Sequence, residues 1–240
     1  MDEHKEFNDH HLPHLLRYVV PIMWNPMNLG SGVLVNIGGR HFAASAAHCI
    51  QQRPVVMIAP APVSVSNPVE LKPLFAKFST FHNKVDIGYV EIDDPGCEAL
   101  TLDNISYAPE LLTGQVHVVG YPATETNKDD AKREILLGVN LFSTTIIEAT
   151  SDHLRMHYPK KGTRYDAASG TWNPAEFPRT PHGFSGGGIF VITKKLFGGI
   201  EIIEYKLVAI QSCWMESERY VEAVPVDWLR ECWKAQGVIS

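Results

Sequence analysis

The sequence predicts an all-β protein arranged as two small barrels and closed by a C-terminal helix. Three observations carry this. The apolar segments are short, β-branched and bounded by turn residues; a polar stretch divides the chain into parts of similar size; helical periodicity is clear only at the end. In order, the segments are Ser31–Ile37, Val55–Ala59, Val63–Val65, Ile87–Ile92, Val116–Val119, Ile135–Leu141, Thr144–Ile147, Gly188–Ile192, Leu207–Gln211 and Tyr220–Val224. Strands at this spacing belong to sandwiches or barrels. Cys97–Gly114 mixes polar and turn residues and reads as the linker between the barrels. Pro159–Pro181 holds four prolines, with Gly162, Gly170 and Asn173 among them, a composition that opposes regular strands and predicts a long surface loop. Pro225 opens the last segment, where Val226, Leu229 and Trp233 share a helical face and Gly237 acts as the stop. Short helical turns are expected at Ala46–Gln52 and around residues 8–17. The expected division is an N-terminal extension over 1–14 and one domain over 15–240. Within that domain, 15–105 is the first barrel, 106–224 the second and 225–240 the helix.

The 240 residues include 21 Lys+Arg against 27 Asp+Glu, a formal charge of −6. Phosphate recognition draws on clustered cations, whereas basic doublets such as Lys160-Lys161 and Lys194-Lys195 stand isolated, so no nucleic-acid partner is expected. The start, MDEHKEFNDHHLPHLLRYVV, is acidic and His-rich where an export signal needs a basic start and an unbroken apolar run. No stretch approaches the roughly 18–20 apolar residues of a membrane span. A cytoplasmic protein without a membrane partner is expected, with its four cysteines as thiols in a reducing compartment. His10, His11 and His14 share one segment, and His153 and His157 have i,i+4 spacing. With no CxxC pair or HExxH motif beside them, these are read as surface histidines, and neither a metal nor a cofactor is expected.

The segment His182-Gly183-Phe184-Ser185-Gly186-Gly187-Gly188 places one hydroxyl among four glycines. Bare backbone on both sides lets a serine present Oγ while neighbouring N–H groups converge on an oxyanion. The pattern G-x-S-x-G also fits the nucleophile elbow of α/β-hydrolases, but there the catalytic histidine follows the serine, and no histidine follows His182. The order available is His, Asp, Ser, supplied upstream by the segments around His48 and Asp86. A serine hydroxyl becomes a nucleophile only when an imidazole takes its proton, and a carboxylate must hold that imidazole in the right tautomer. Asp93 and Asp94, just before Pro95, lack the strand-edge setting of Asp86.

Taken together, Gly30-Ser31-Gly32-Val33-Leu34-Val35, Ala46-Ala47-His48-Cys49, Asp86-Ile87-Gly88, Gly183-Phe184-Ser185-Gly186-Gly187 and Leu207-Val208-Ala209-Ile210-Gln211-Ser212 resemble the trypsin/chymotrypsin-like serine peptidases, including their bacterial HtrA/Deg-like relatives. The resemblance implies a chymotrypsin-like fold of two antiparallel six-stranded β-barrels with a C-terminal α-helix and the site in the cleft between the barrels. It implies Ser185 as nucleophile, His48 as general base, Asp86 as its orienting acid, and the N–H groups of Gly183 and Ser185 as oxyanion hole. Protein or peptide substrates follow, with activity expected to fall as His48 protonates below about 6.5.

Where the secreted relatives have an acid before the nucleophile, this chain has Phe184, so activation by a new N-terminal amine is not expected. Ordering of Pro159–Pro181 by a partner protein is the implied substitute. The usual cysteine partner of Cys49 is missing from the strand that begins at Gly30. The base of the specificity pocket corresponds to Arg179 with Thr180 beside it, which implies a preference for acidic side chains if Arg179 faces inward. The wall corresponds to Ser212-Cys213-Trp214, where Trp214 replaces a glycine and narrows the entrance. A catalytically silent binding module of the same fold, and an esterase using the same three residues, stand as alternatives.

Overall fold

The computed structural model describes residues 11–25, 28–51, 55–58, 72–75, 77–106, 112, 114–121, 126–129, 134–137, 139–166, 171–176, 183–215 and 219–240. Strands β1 (Val19–Asn25), β2 (Asn28–Ile37), β3 (Arg40–Ser45), β4 (Val55–Ile58), β5 (Lys72–Phe75), β6 (Phe78–Phe81) and β7 (Gly88–Ile92) form one antiparallel sheet in the order β5-β4-β1-β2-β3-β7-β6. Among the described residues, no pairing joins its two edges. The remaining strands are β8 (Gln115–Gly120), β9 (Thr126–Asp129), β10 (Glu134–Leu137), β11 (Val139–Ala149), β12 (Leu154–His157), β13 (Lys161–Asp166), β14 (Thr171–Glu176), β15 (Gly188–Phe197), β16 (Ile200–Met215) and β17 (Tyr220–Pro225). Their main sheet runs β12-β17-β16-β15-β8-β11-β13-β14, and an extra pairing of β12 with β11 closes six of these strands into a barrel. β9 and β10 form a separate hairpin. The all-β chymotrypsin-like architecture stands, with a closed second barrel and a seven-stranded first sheet.

Several expected strands have different bounds. Ile135–Leu141 belongs to two strands, β10 and β11, and the expected strand Thr144–Ile147 is simply the middle of β11. Val63–Val65 lies outside the described residues. The loop expected over Pro159–Pro181 instead contains the β13–β14 hairpin. Pro174 of β14 pairs with Thr163 of β13, and β14 is the edge of the sheet, the place where a strand tolerates proline. β15 and β16 continue past the barrel as a two-stranded ribbon turned by Gly198-Gly199, both at positive φ (+59° and +85°) as a two-residue hairpin turn requires. Its tip exposes Leu196, Phe197 and Ile200.

The described residues also include the α-helical segments α1 (Leu12–Leu15), α2 (Ala47–Ile50) and α3 (Asp227–Ala235). The last ends as its sequence demands, with Gly237 at φ +65° and the Val238 N–H donating to the Trp233 carbonyl at 2.8 Å, satisfying a carbonyl the helix leaves open. Trp233 is fully buried and sets α3 against the first sheet, 6.2 Å from the Phe42 ring and 6.0 Å from that of Tyr89. Cutting such a ring back to alanine typically costs about 3–5 kcal/mol. Between the sheets, Leu100 bridges to Val35 of β2 and Ile105 to Leu207 of β16, on either side of a 3-10 turn at Leu102–Asn104. The connecting stretch is thereby stitched to both halves. All four cysteines are free thiols. No helix among the described residues is long and apolar enough to cross a membrane.

Candidate active site

His48 and Asp86 meet because of strand register. β3 pairs antiparallel with β7, and the last pair is Ser45 with Gly88. Three residues beyond Ser45 and two residues before Gly88, the chain leaves the same end of this ladder, at His48 and Asp86. Ala46 is extended (φ −63°, ψ 140°) and turns the chain into α2, where Ala47, Cys49 and Ile50 are buried and His48 alone faces solvent. The His48 Nδ1–H donates to Asp86 Oδ2 at 2.7 Å, and the His48 backbone N–H donates to Oδ1 at 3.0 Å. Both carboxylate oxygens are therefore engaged by one residue. With its Nδ1 proton committed to Asp86, the neutral ring has Nε2 free as the basic nitrogen.

Electrostatics follow from this geometry. The Asp86 hydrogen bond raises the His48 pKa to about 10; a hydrogen bond with the Cys49 thiol adds to the rise, and burial works against it. For Asp86, burial alone would raise the carboxyl pKa. Its hydrogen bonds to the His48 ring and to the His48 and Ala47 backbone outweigh burial and lower it. The expectation that His48 titrates near 6.5 took the reference value of a solvated imidazole, and the 2.7 Å bond to Asp86 moves it upward.

Ser185 sits in a turn locked from three sides. The Gly187 N–H donates to the Phe184 carbonyl at 2.7 Å, and the Gly186 N–H to the Gln211 carbonyl of β16 at 2.7 Å. From the first sheet, the Ser31 N–H donates to the Ser185 carbonyl at 2.7 Å. The Cys49 thiol lies 3.5 Å from that same carbonyl, which brings Ser185 against the residue that follows His48. Gly183 and Gly186 hold positive φ (+93° and +87°), a conformation that explains glycine on both sides of the serine. Phe184 is buried, its ring 5.9 Å from Phe142. An apolar anchor thus holds the turn where the resemblance would have led one to expect a carboxylate.

Two buried serines that the motif reading passed over organise this junction. Ser31 Oγ donates to the Gly183 carbonyl at 2.9 Å and accepts the Tyr121 N–H at 2.8 Å, while Ser45 Oγ donates to the Ser31 carbonyl at 2.7 Å. Their signal in the sequence is a lone hydroxyl in each of two small, apolar runs, GSGVLV and AASAAH.

The pocket residues divide. Arg179 and Thr180 lie outside the described residues. Ser212 is buried and donates to the Glu222 carbonyl at 3.2 Å, which turns its hydroxyl toward β17, and Cys213 is exposed. Trp214 packs edge-on against Tyr158 with ring centroids 4.6 Å apart; Tyr158 meets Phe142 at 5.2 Å on one side and the Arg219 guanidinium at 5.6 Å on the other. His11 and His14, read from sequence as surface residues, both contact Tyr205, and His11 is buried. His10 lies outside the described residues.

No family model and no curated protein matches the chain. Solved structures do share its fold. Neuropsin, a serine protease expressed in the limbic system of mouse brain, has a TM-score of 0.56 at 14% identity, covering 91% of this chain and 95% of its own. The serine endoprotease from Yersinia pestis gives 0.55 at 16%, over 93% and 65%. The MamO protease domain from Magnetospirillum magneticum gives 0.51 at 12%, over 93% and 97%. At these identities the likeness is one of fold, and the fold is that of the trypsin/chymotrypsin-like serine proteases.

Proposed function

We propose that this chain is a serine endopeptidase, a single peptidase unit in which Ser185 attacks the scissile carbonyl, His48 carries the proton and Asp86 orients His48. The observation that carries the reading is the bidentate hold of Asp86 on His48, solvent-facing and one residue from the contact that anchors the Ser185 turn. A tetrahedral intermediate on the way to the acyl-enzyme forms when Oγ bonds to the carbonyl carbon, the C=O electron pair moves to oxygen and the Oγ proton passes to His48 Nε2. Collapse of the tetrahedral intermediate then breaks the C–N bond as that proton moves to the leaving amine, and water repeats the sequence to release the acid. The Gly183 and Ser185 N–H groups are the proposed donors to the oxyanion, each worth about 3–4 kcal/mol of barrier. The apolar burial of Phe184 supports a site that needs no N-terminal ion pair, with activation through a partner protein. A fluorophosphonate probe tests the assignment: it reacts at Ser185 and spares Ser185→Ala. Absence of labelling under all conditions, candidate partners included, sinks the peptidase reading and favours a silent binding module.

The aromatic pile of Trp214 on Tyr158 supports a narrow primary pocket and small substrate side chains. Trp214→Gly is expected to raise cleavage after Phe or Leu by about tenfold or more relative to Ala, since pocket volume discriminates by about 1–3 kcal/mol per methylene. Cleavage-site profiling on a peptide library, with Ser185→Ala as blank, measures this. An unchanged profile removes Trp214 from the pocket.

A further inference from the structure

We propose that His82 is a positioning residue for the His48–Asp86 pair, tying the turn that carries Asp86 to the C-terminal helix and through it to the second sheet. The proposal rests on the reading of His48 and Asp86 as base and orienting acid.

Asp86 lies on the turn that joins β6 to β7, whose ends are held by backbone bonds while its middle is set by a side chain. The His82 N–H donates to the Ile87 carbonyl at 2.8 Å and the Ile87 N–H to the Val85 carbonyl at 2.9 Å. Inside the turn, the Lys84 N–H donates to His82 Nδ1 at 3.2 Å. Because Nδ1 accepts, the neutral ring carries its proton on Nε2, which faces Glu231 Oε2 of α3 at 3.9 Å, beyond hydrogen-bond length. The same ring packs on Trp228 of α3, with centroids 4.5 Å apart and planes tilted by 55°. Trp228 is itself fixed, its indole N–H donating at 2.9 Å to the carbonyl of Ser151, which follows β11 of the second barrel. A continuous path therefore runs from Ser151 through Trp228 and His82 to the Lys84 amide, two residues from Asp86. The charged group that the ring faces is Glu231 on the helix.

The contact has a specific geometric purpose. Asp86 must present two oxygens to two N–H groups of one residue, so a small rotation of its turn breaks one bond before the other. A ring wedged between turn and helix restrains that rotation. The His82 side chain is largely buried yet borders an open cleft of about 320 Å³ lined also by Phe81, Asn83, Cys232 and Gln236, so cutting it back opens the turn toward solvent and leaves no sealed internal void.

The experiment reads the His48 titration midpoint by NMR of the labelled imidazole in the full chain, alongside kcat and KM. In His82→Ala the midpoint falls by about one pH unit toward its reference value, because a loosened Asp86 no longer favours the imidazolium. With it, kcat falls by about tenfold and KM stays within about twofold. Trp228→Phe keeps a ring for His82 and loses the Ser151 bond, and is expected to give a smaller shift in the same direction. A midpoint unchanged in folded His82→Ala overturns the proposal; should that variant not fold, an unchanged midpoint in Trp228→Phe overturns it equally. The titration requires no turnover. A chain that shows the midpoint shift but never takes a fluorophosphonate loses the peptidase reading alone, while one that is labelled and shows no shift loses this inference alone.

Discussion

Asp86→Asn lowers kcat/KM by about 10⁴-fold, the loss expected when the acid of a Ser-His-Asp set becomes an amide. The cause is acceptor count. Asp86 accepts from both the ring and the backbone N–H of His48 at 3.0 Å or less. Asparagine offers one oxygen. If that oxygen keeps the backbone N–H, the amide NH₂ faces Nδ1 and makes it an acceptor. The ring proton then sits on Nε2, where it blocks proton transfer from Ser185. The pH profile separates this from simple unfolding. With Asp86 present, the His48 pKa is drawn up to about 10, so the ascending limb of kcat/KM lies above 6.5 and activity climbs as the imidazolium deprotonates. In the variant the limb moves down toward 6.5. A wild-type limb at or below 6.5 contradicts the pairing.

Stability tracks the same groups with opposite slopes. A raised His48 pKa contributes fully below 6.5 and is lost as pH rises through about 10, whereas the lowered Asp86 contributes above its ordinary 3.8 and is lost as pH falls through its folded value. Denaturation midpoints of wild type against Asp86→Asn therefore differ most in the mildly acidic range between those limits, and the difference narrows as pH falls through the folded Asp86 value or rises through about 10.

Gly186→Ala is expected to destabilise the fold by at least about 4 kcal/mol, in the range reserved for gross steric conflict. The residue has φ +87°, and a Cβ there would overlap the Ser31 carbonyl oxygen and Ser45 Oγ and lie 2.9 Å from the Ser31 carbonyl carbon. None of these can retreat, because Ser45 Oγ bonds the Ser31 carbonyl and Ser31 in turn bonds Gly183. Gly38→Ala is the control. It also has positive φ (+59°), but a Cβ meets nothing within 4 Å, so only the backbone penalty of about 1–2 kcal/mol applies. Urea denaturation of the two variants measures the difference; similar midpoints would show that the Ser31–Ser45–Gly186 junction yields.

Which features were legible in the sequence follows from how local each one is. Strands such as β8 and β17 announce themselves by their own apolar pattern, and the meeting of His48 with Asp86 by residue types whose chemistry, on the proposed reading, requires one another. β13 and β14 were hidden because a proline looks disruptive until its strand is known to be an edge. The buttress of the serine turn was hidden because Ser31 and Gly183 are 152 positions apart and nothing in either segment names the other. The stacking of Trp214 on Tyr158 is invisible for the same reason. The pH limb was misplaced because an imidazole's reference value says nothing of a carboxylate brought to it by strand register.

The helix α3 follows every strand in chain order, and it carries Trp233 into the first sheet and Trp228 against His82. During synthesis, the segments bearing His48, Asp86 and Ser185 all leave the ribosome before these two tryptophans. A single domain folds as a cooperative unit, so a turn buttressed by a later segment settles only when that segment docks. A growing chain would thus hold its reactive groups in a slack arrangement until the final turns of helix dock. The helix thus ties the setting of the turn that carries Asp86 to the docking of its own two tryptophans.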